Sequence, residues 1–468
     1  MTALAPELRA HTKYDWAEIP RVNPPKRPAK QRAHDYCEIT KLFDEQAVRE
    51  QACRCLSCPQ PLCVEGCPLH NRIPEWLALT AEGAFLEAAA ISQSTSNMPE
   101  ICSRVCPQER LCEGSCILNA RSEPVAIGAI EKFINEYAFA HEAIVANGVV
   151  MNGLRVAVVG AGPAGLACAD ELAKLGYAVT VFEAQNTPGG LLVNGIPGFK
   201  LEKEVVARRI DVLKRRGVSF RCHVKIGRDL SFSDLRNNFD AVFLGVGAQK
   251  AKLAEIPGED LEGVHAAIPF LIQYNAPGSF EGEPLDVRGK RVAVLGGGDT
   301  AMDCLRTAIR AGATEAVCIY RRDLANMPGS RKEYYNAVEE GARFEFLTNP
   351  ISIEGAERVK GIRCVRMALG EPDAQGRRKP IQVPGSEFQI AVDIVLVAYG
   401  FDPEPAPQFE GANLATDRWG ALAVDAGQMT SIPGVFAGGD SSRGASLVVH
   451  AVRDGRMAAR GIHQYLEG

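Results

Sequence analysis

Three observations in a chain of 468 residues predict an α/β protein in which two dinucleotide-binding domains, one inserted in the other, follow a small α-helical domain rich in thiols. The first is a repeated strand–glycine–helix–strand pattern, RVAVVGAGPAGLACADELAKLGYAVTVFEA from Arg155 and RVAVLGGGDTAMDCLRTAIRAGATEAVCIYRR from Arg291. Each copy opens on an apolar, β-branched run suited to a parallel strand buried on both faces. The second is the near-duplicate pair DAVFLGVG (240–247) and DIVLVAYG (393–400), followed by a terminal GVFAGGD that returns the chain to the first domain. The third is the crowding of cysteine at one end.

Taken in order, residues 20–32 (PRVNPPKRPAKQR) are basic and Pro-rich, and this composition predicts an extended arm. From Tyr36 to Asn147 helical patterns, such as Pro74–Ala90 and Ile127–Ala143, alternate with cysteine runs. The two repeats then read as Rossmann-like βαβ units, the first helix ending near Gly176, and a last helix is expected from Ser446. The boundaries expected are 1–147 for the helical domain, 148–286 with 402–468 for the outer nucleotide-binding domain, and 287–401 for the inserted one. A net charge of −5 without a long basic run argues against nucleic acid as a partner. No apolar stretch is long enough to span a membrane and residues 1–19 lack a signal-peptide pattern, so a cytoplasmic protein is expected.

Of the 15 cysteines, ten precede residue 120: Cys37, Cys53, Cys55, Cys58, Cys63, Cys67, Cys102, Cys106, Cys112 and Cys116. In a cytoplasmic chain such thiols are ligands, redox groups or small apolar residues rather than disulfides. The runs Cys55-x2-Cys58-x4-Cys63-x3-Cys67-Pro and Cys102-x3-Cys106-Pro-x4-Cys112-x3-Cys116 suit two iron–sulfur cubanes, since a Cys-Pro ending also marks two-cluster ferredoxins. Paired structural zinc sites are the competing reading, and they would make this domain a zinc-stabilised interaction module; only one CxxC is present to support it. Cys37 and Cys53 read as spare thiols.

In the first turn, Gly160 permits the bend, Gly162 lets the backbone approach a pyrophosphate, and Gly165 lets helix and strand pack. Glu183, 23 residues after Gly160, ends the next strand where a carboxylate accepts from a ribose hydroxyl, which points to FAD or NAD. The second turn, Gly296-Gly297-Gly298-Asp299-Thr300, is followed at the equivalent strand end by Arg321 and Arg322. Guanidinium groups there suit a 2′-phosphate and hence NADPH. Asp440 in GVFAGGD is placed to meet a flavin, and the following helix to point its N-terminus at the ring. Cys304 and Cys318 have no CxxC partner, which argues against a dithiol step.

The motifs GAGPAGL, PGGLL, GIPGFKL, GGGDTAMDC, YRRDLANMPGS and GVFAGGD, behind the cysteine domain, resemble the small (β) subunit of NADPH-dependent bacterial glutamate synthase from about Tyr14 onward. The electron-entry half of dihydropyrimidine dehydrogenase is similar in architecture. The resemblance implies FAD in the outer domain, NADPH in the inserted one, two 4Fe–4S clusters in the helical domain, and a large (α) subunit as partner in a hetero-oligomer. That partner would make L-glutamate from L-glutamine and 2-oxoglutarate. It implies Cys55, Cys58, Cys63 and Cys116 around one cluster, and Cys67, Cys106 and Cys112 around the other, with Glu131 in IGAIEKF as fourth ligand; counting thiols would put Cys102 there instead, and both stay open. PGGLL places Gly190 and Leu191 beside the flavin, and Lys200 in GIPGFKL is a candidate flavin neighbour, although no side chain is required as catalyst for hydride transfer. The same motifs suit an NADPH-dependent iron–sulfur flavoprotein serving another acceptor, such as a ferredoxin or a pyrimidine reductase module.

Overall fold

The computed structural model describes residues 14–144, 149–372, 378–404, 409 and 412–468. They fall into two compact units, Met1–Lys26 with Thr40–Ala146 and Arg27–Ile39 with Asn147–Gly468. The first unit is built from helices Glu45–Ala52, Ile73–Glu82, Phe85–Thr95, Pro99–Val105 and Ile127–Ala140. The Asp44 carboxylate caps the first by accepting from the Ala47 amide. Trp76, Ile101, Ile130 and Ile134 are fully enclosed, and Phe85 meets Phe133 edge-on at 5.1 Å. The single helix expected over Pro74–Ala90 is two, because Gly83 takes a left-handed φ of +88° and closes the first.

The second unit holds two five-stranded parallel sheets. In one the order is Val435–Ala437, Ala241–Leu244, Arg155–Val159, Ala178–Phe182 and Ser219–Arg221. In the other it is Val264–Ala266, Ile394–Val397, Arg291–Leu295, Glu315–Tyr320 and Arg343–Phe346. The duplicated runs occupy equivalent places: each pairs in parallel with the first strand of its repeat. Each is preceded by an aspartate, Asp240 or Asp393, that accepts from the amide of Arg155 or Arg291. The terminal strand Val435–Ala437 pairs with Ala241–Leu244, so one nucleotide-binding half is inserted within the other.

Three features differ from the sequence expectation. Val264–Ala266 belongs to the second sheet, so that half begins upstream of residue 287; a three-residue edge strand far from its glycine turn leaves little periodic signal. An antiparallel sheet of Thr348–Gly355, Val359–Pro372, Arg378–Gln382 and Phe388–Ile390 covers one face of that sheet, burying Ile353, Ile362 and Cys364 against Leu295, Val317 and Ile319. Finally, Arg27–Ile39, which takes in the last six residues of the expected arm, packs into the second unit. Arg32, in the helical turn Ala29–Arg32, is buried and pairs with Glu340 at 2.9 Å and Glu339 at 2.5 Å, partners that lie some 300 residues away in sequence. No described helix is long and apolar enough to cross a membrane.

Candidate functional site

The thiols converge in two groups within the helical unit. Cys55 follows the helix Glu45–Ala52, Cys58 precedes the helical turn Leu62–Glu65 and Cys63 lies within it, and Cys116 precedes the turn Ile117–Ala120. These four line one cavity with Leu56, Pro61, Leu77 and Val125. Burial pushes the Cys63 thiol up to about 12, and Cys55, Cys58 and Cys116 add to the shift. Cys67, Cys106 and Cys112, all half-buried, form the second group, and burial pushes Cys67 up to about 11.

Both residues expected to compete for the fourth place reach this second group. Cys102 is in contact with Cys106, and the Glu131 carboxylate faces Cys67 and Cys112. Glu131 Oε1 accepts from Asn71 Nδ2 at 2.8 Å and Ser92 Oγ at 3.1 Å. Burial pushes that carboxyl up to about 8 despite these bonds. Among the described residues no three Cys, His or carboxylate side chains come close enough to grip a single ion. Thiolates around one zinc would lie about 3.8 Å apart, given a Zn–S bond of about 2.3 Å. A cubane spreads its ligands farther, and the four-thiol cavity fits that donor set.

At the first glycine turn, Gly160 has φ +96°, and a Cβ there would lie 2.4 Å from the Gly245 carbonyl. Gly162 faces open space at the start of helix Pro163–Lys174, the opening a pyrophosphate requires. Glu183, buried at the strand end, accepts from the amides of Ala161 (2.8 Å) and Gln185 (2.9 Å), and Gly165 packs on the Gly160 carbonyl. Gly190 packs on Gly162, with Leu191 opening the next helical turn. A Cβ on Gly439 would meet Ala164, which puts Asp440 beside the same helix; its Oδ1 accepts from Ser446, just ahead of the helix Val448–Glu467. Burial pushes Asp440 up to about 7.

At the second turn, Gly296 has φ +129° and Gly297 lies under the Tyr320 ring, while Gly298 is open at the start of helix Asp299–Arg310. Asp299 is engaged by the Ser330 amide (3.0 Å), and Gly329 donates to the Gly297 carbonyl, so the NMPGS segment closes over the turn; Thr300 is half-buried beside it. Arg321 is exposed. Arg322 is half-buried, and its Nε is enclosed with no hydrogen-bond partner, an orphan donor that fits a phosphate.

Lys200 carries its ammonium to Asp303 on that helix at 2.9 Å, with Glu333 and Asp299 also facing it. Its neighbour Phe199 lies under the guanidinium groups of Arg306 and Arg310, at 4.1 and 4.0 Å. Sequence reasoning missed this network of Arg32, Arg306, Arg310, Glu333 and Glu340; the only signal was a set of charged residues at helical spacing, which usually marks a solvated face.

Two family models match: dihydropyrimidine dehydrogenase domain II, 4Fe-4S cluster, over residues 32–143, and pyridine nucleotide-disulphide oxidoreductase over residues 154–455. A glutamate synthase (NADPH) small chain of Escherichia coli K12 is 47% identical over 466 residues, spanning 97% of this chain and 99% of the relative. A putative oxidoreductase of the same organism, AegA, is 45% identical over 95% of this chain and 70% of its own length. The structure of Mycobacterium tuberculosis FprA in complex with NADPH, 23% identical, superposes with a TM-score of 0.58 over 67% of this chain and 85% of that one, a likeness of fold. The matching thiol domain, the two nucleotide turns and a relative aligned end to end lead to one conclusion: the chain belongs to the small-chain family of NADPH-dependent glutamate synthase, a family of NADPH-dependent oxidoreductases.

Proposed function

We propose that this chain is the electron-input subunit of a cytoplasmic glutamate synthase, oxidising NADPH and supplying a large subunit that makes L-glutamate from L-glutamine and 2-oxoglutarate. When bound, FAD supplies hydride acceptance and two 4Fe–4S clusters supply one-electron transfer. Gly160, Gly162, Gly165, Glu183, Gly190, Leu191 and Asp440 hold the FAD. Gly296, Gly298, Asp299, Thr300, Arg321 and Arg322 hold NADPH, with the arginines on its 2′-phosphate. Cys55, Cys58, Cys63 and Cys116 ligate one cluster; Cys67, Cys106, Cys112 and Glu131 ligate the other. Glu131 is preferred over Cys102 because Asn71 and Ser92 orient its carboxylate as outer-shell groups orient a ligand.

The observation that carries this reading is the cavity lined by four thiols in a chain that also folds two dinucleotide turns. Anaerobic purification with assay of iron, acid-labile sulfide and flavin tests it. Iron, sulfide and FAD together are expected; zinc without sulfide would contradict it.

A second reading has one observation in its favour. AegA, a putative oxidoreductase, is almost as similar as the small chain, so identity alone does not fix the acceptor. Copurification of a ferredoxin or a pyrimidine reductase in place of the large subunit would support that reading.

A further inference from the structure

Arg54 precedes Cys55 and is 1% exposed. Its Nη2 donates to the Glu123 carbonyl at 2.8 Å, while Nε and Nη1 are enclosed without any hydrogen-bond partner. Buried guanidinium donors left unpaired in a folded protein call for an acceptor. The segment that holds Arg54 is the one whose Cys116, Ile117, Leu118 and Val125 line the four-thiol cavity, and Cys55 lines it from the other side. The guanidinium is thus anchored to the segment that forms one wall of that cavity, next in sequence to the cysteine that begins the other. Arg21, a like charge in the same unit, is occupied by Glu113 at 2.7 Å and by the Pro124 carbonyl.

We propose that Arg54 sets the reduction potential of the cluster held by Cys55, Cys58, Cys63 and Cys116, its free N–H groups donating to the Cys116 sulfur or to an adjoining sulfide. The inference rests on the cluster reading above. Reduction adds one negative charge to the cluster, and a fixed cation with donors aimed at sulfur favours the reduced form, which raises the potential. Arg54 therefore acts as a tuning group that exchanges neither protons nor electrons itself.

The test is an anaerobic redox titration of the full chain followed by electron paramagnetic resonance. Arg54→Gln should lower the reduction constant of one cluster at least tenfold, about 59 mV for a single electron, and leave the other unchanged. Arg54→Lys, which keeps the charge, should restore part of the shift. An unchanged midpoint in Arg54→Gln at full iron content would overturn the proposal. A second measurement needs no variant: protein labelled with 15N-arginine should show a nitrogen coupling in the spin-echo modulation of the reduced cluster, and its absence would likewise refute the contact. Wild-type protein without iron and sulfide would instead bring down the cluster reading itself, so the two failures are distinct.

Discussion

Replacing Arg322 with alanine removes a guanidinium whose Nε is enclosed beside the second glycine turn without a partner of its own, and the cost should fall on NADPH alone. A hydrogen bond between charged groups contributes about 1.5–3 kcal/mol. At 1.4 kcal/mol per tenfold, the KM for NADPH should rise about 10- to 100-fold. Arg321 is exposed, so its attraction to the phosphate is screened by water and salt. Arg321→Ala should therefore cost less, and its effect should fade as ionic strength rises, while that of Arg322→Ala persists. The assay is steady-state reduction of an artificial acceptor with NADPH and NADH in parallel, at two salt concentrations. The KM for NADH should move less than threefold in either variant. Equal losses with both nucleotides, or a larger effect from Arg321, would refute the assignment of the 2′-phosphate to Arg322.

Glu131→Ala should lower iron content or leave a three-iron signal in the isolated protein, whereas Cys102→Ala should leave both unchanged; the reverse pattern would hand the fourth position to Cys102. The half-buried thiols Cys63 and Cys67, held at about 12 and about 11, must lose protons to bind iron. Reconstitution of the apoprotein should accordingly tighten as pH rises and release protons, measurable by titration in weak buffer. Glu340 is held at about 2 by Arg306 and Arg310 against the opposing effect of burial. Its folded pKa lies below the unfolded value, so its contribution is present above about pH 4.5 and is lost as pH falls toward 2. Glu340→Gln should cost about 3–5 kcal/mol near neutrality, because three arginines lose their buried partner, and should flatten the acid limb of the thermal-melting profile.

What was legible in the sequence is what depends on local chemistry. Glycines at 160, 162 and 165 and at 296 and 298 declare their turns because positive φ and close approach admit no side chain. The two runs beginning at Asp240 and Asp393 marked equivalent strands because the same buried position demands the same residues. The thiol spacing marked two cysteine runs, but the grouping of Cys55, Cys58 and Cys63 with Cys116, which line one cavity, came from the family resemblance alone, since more than fifty residues separate the third from the fourth. Contacts between distant segments were not legible. Nothing near Arg32 announces Glu340, nor does anything near Lys200 announce Asp303, because each partner is an ordinary helical carboxylate until the fold encloses it. The antiparallel sheet was hidden for a related reason: its alternation is interrupted by bulges at Pro350–Ser352 and Leu369–Pro372.

The most direct test of the central claim is to recover the partner of the native protein and measure glutamate formed from glutamine, 2-oxoglutarate and NADPH, with and without that partner. Glutamate is expected only when both are present, and only NADPH oxidation with artificial acceptors when this chain is isolated. Glutamate made by the isolated chain, or none made by the reconstituted pair while NADPH is consumed, would contradict that claim.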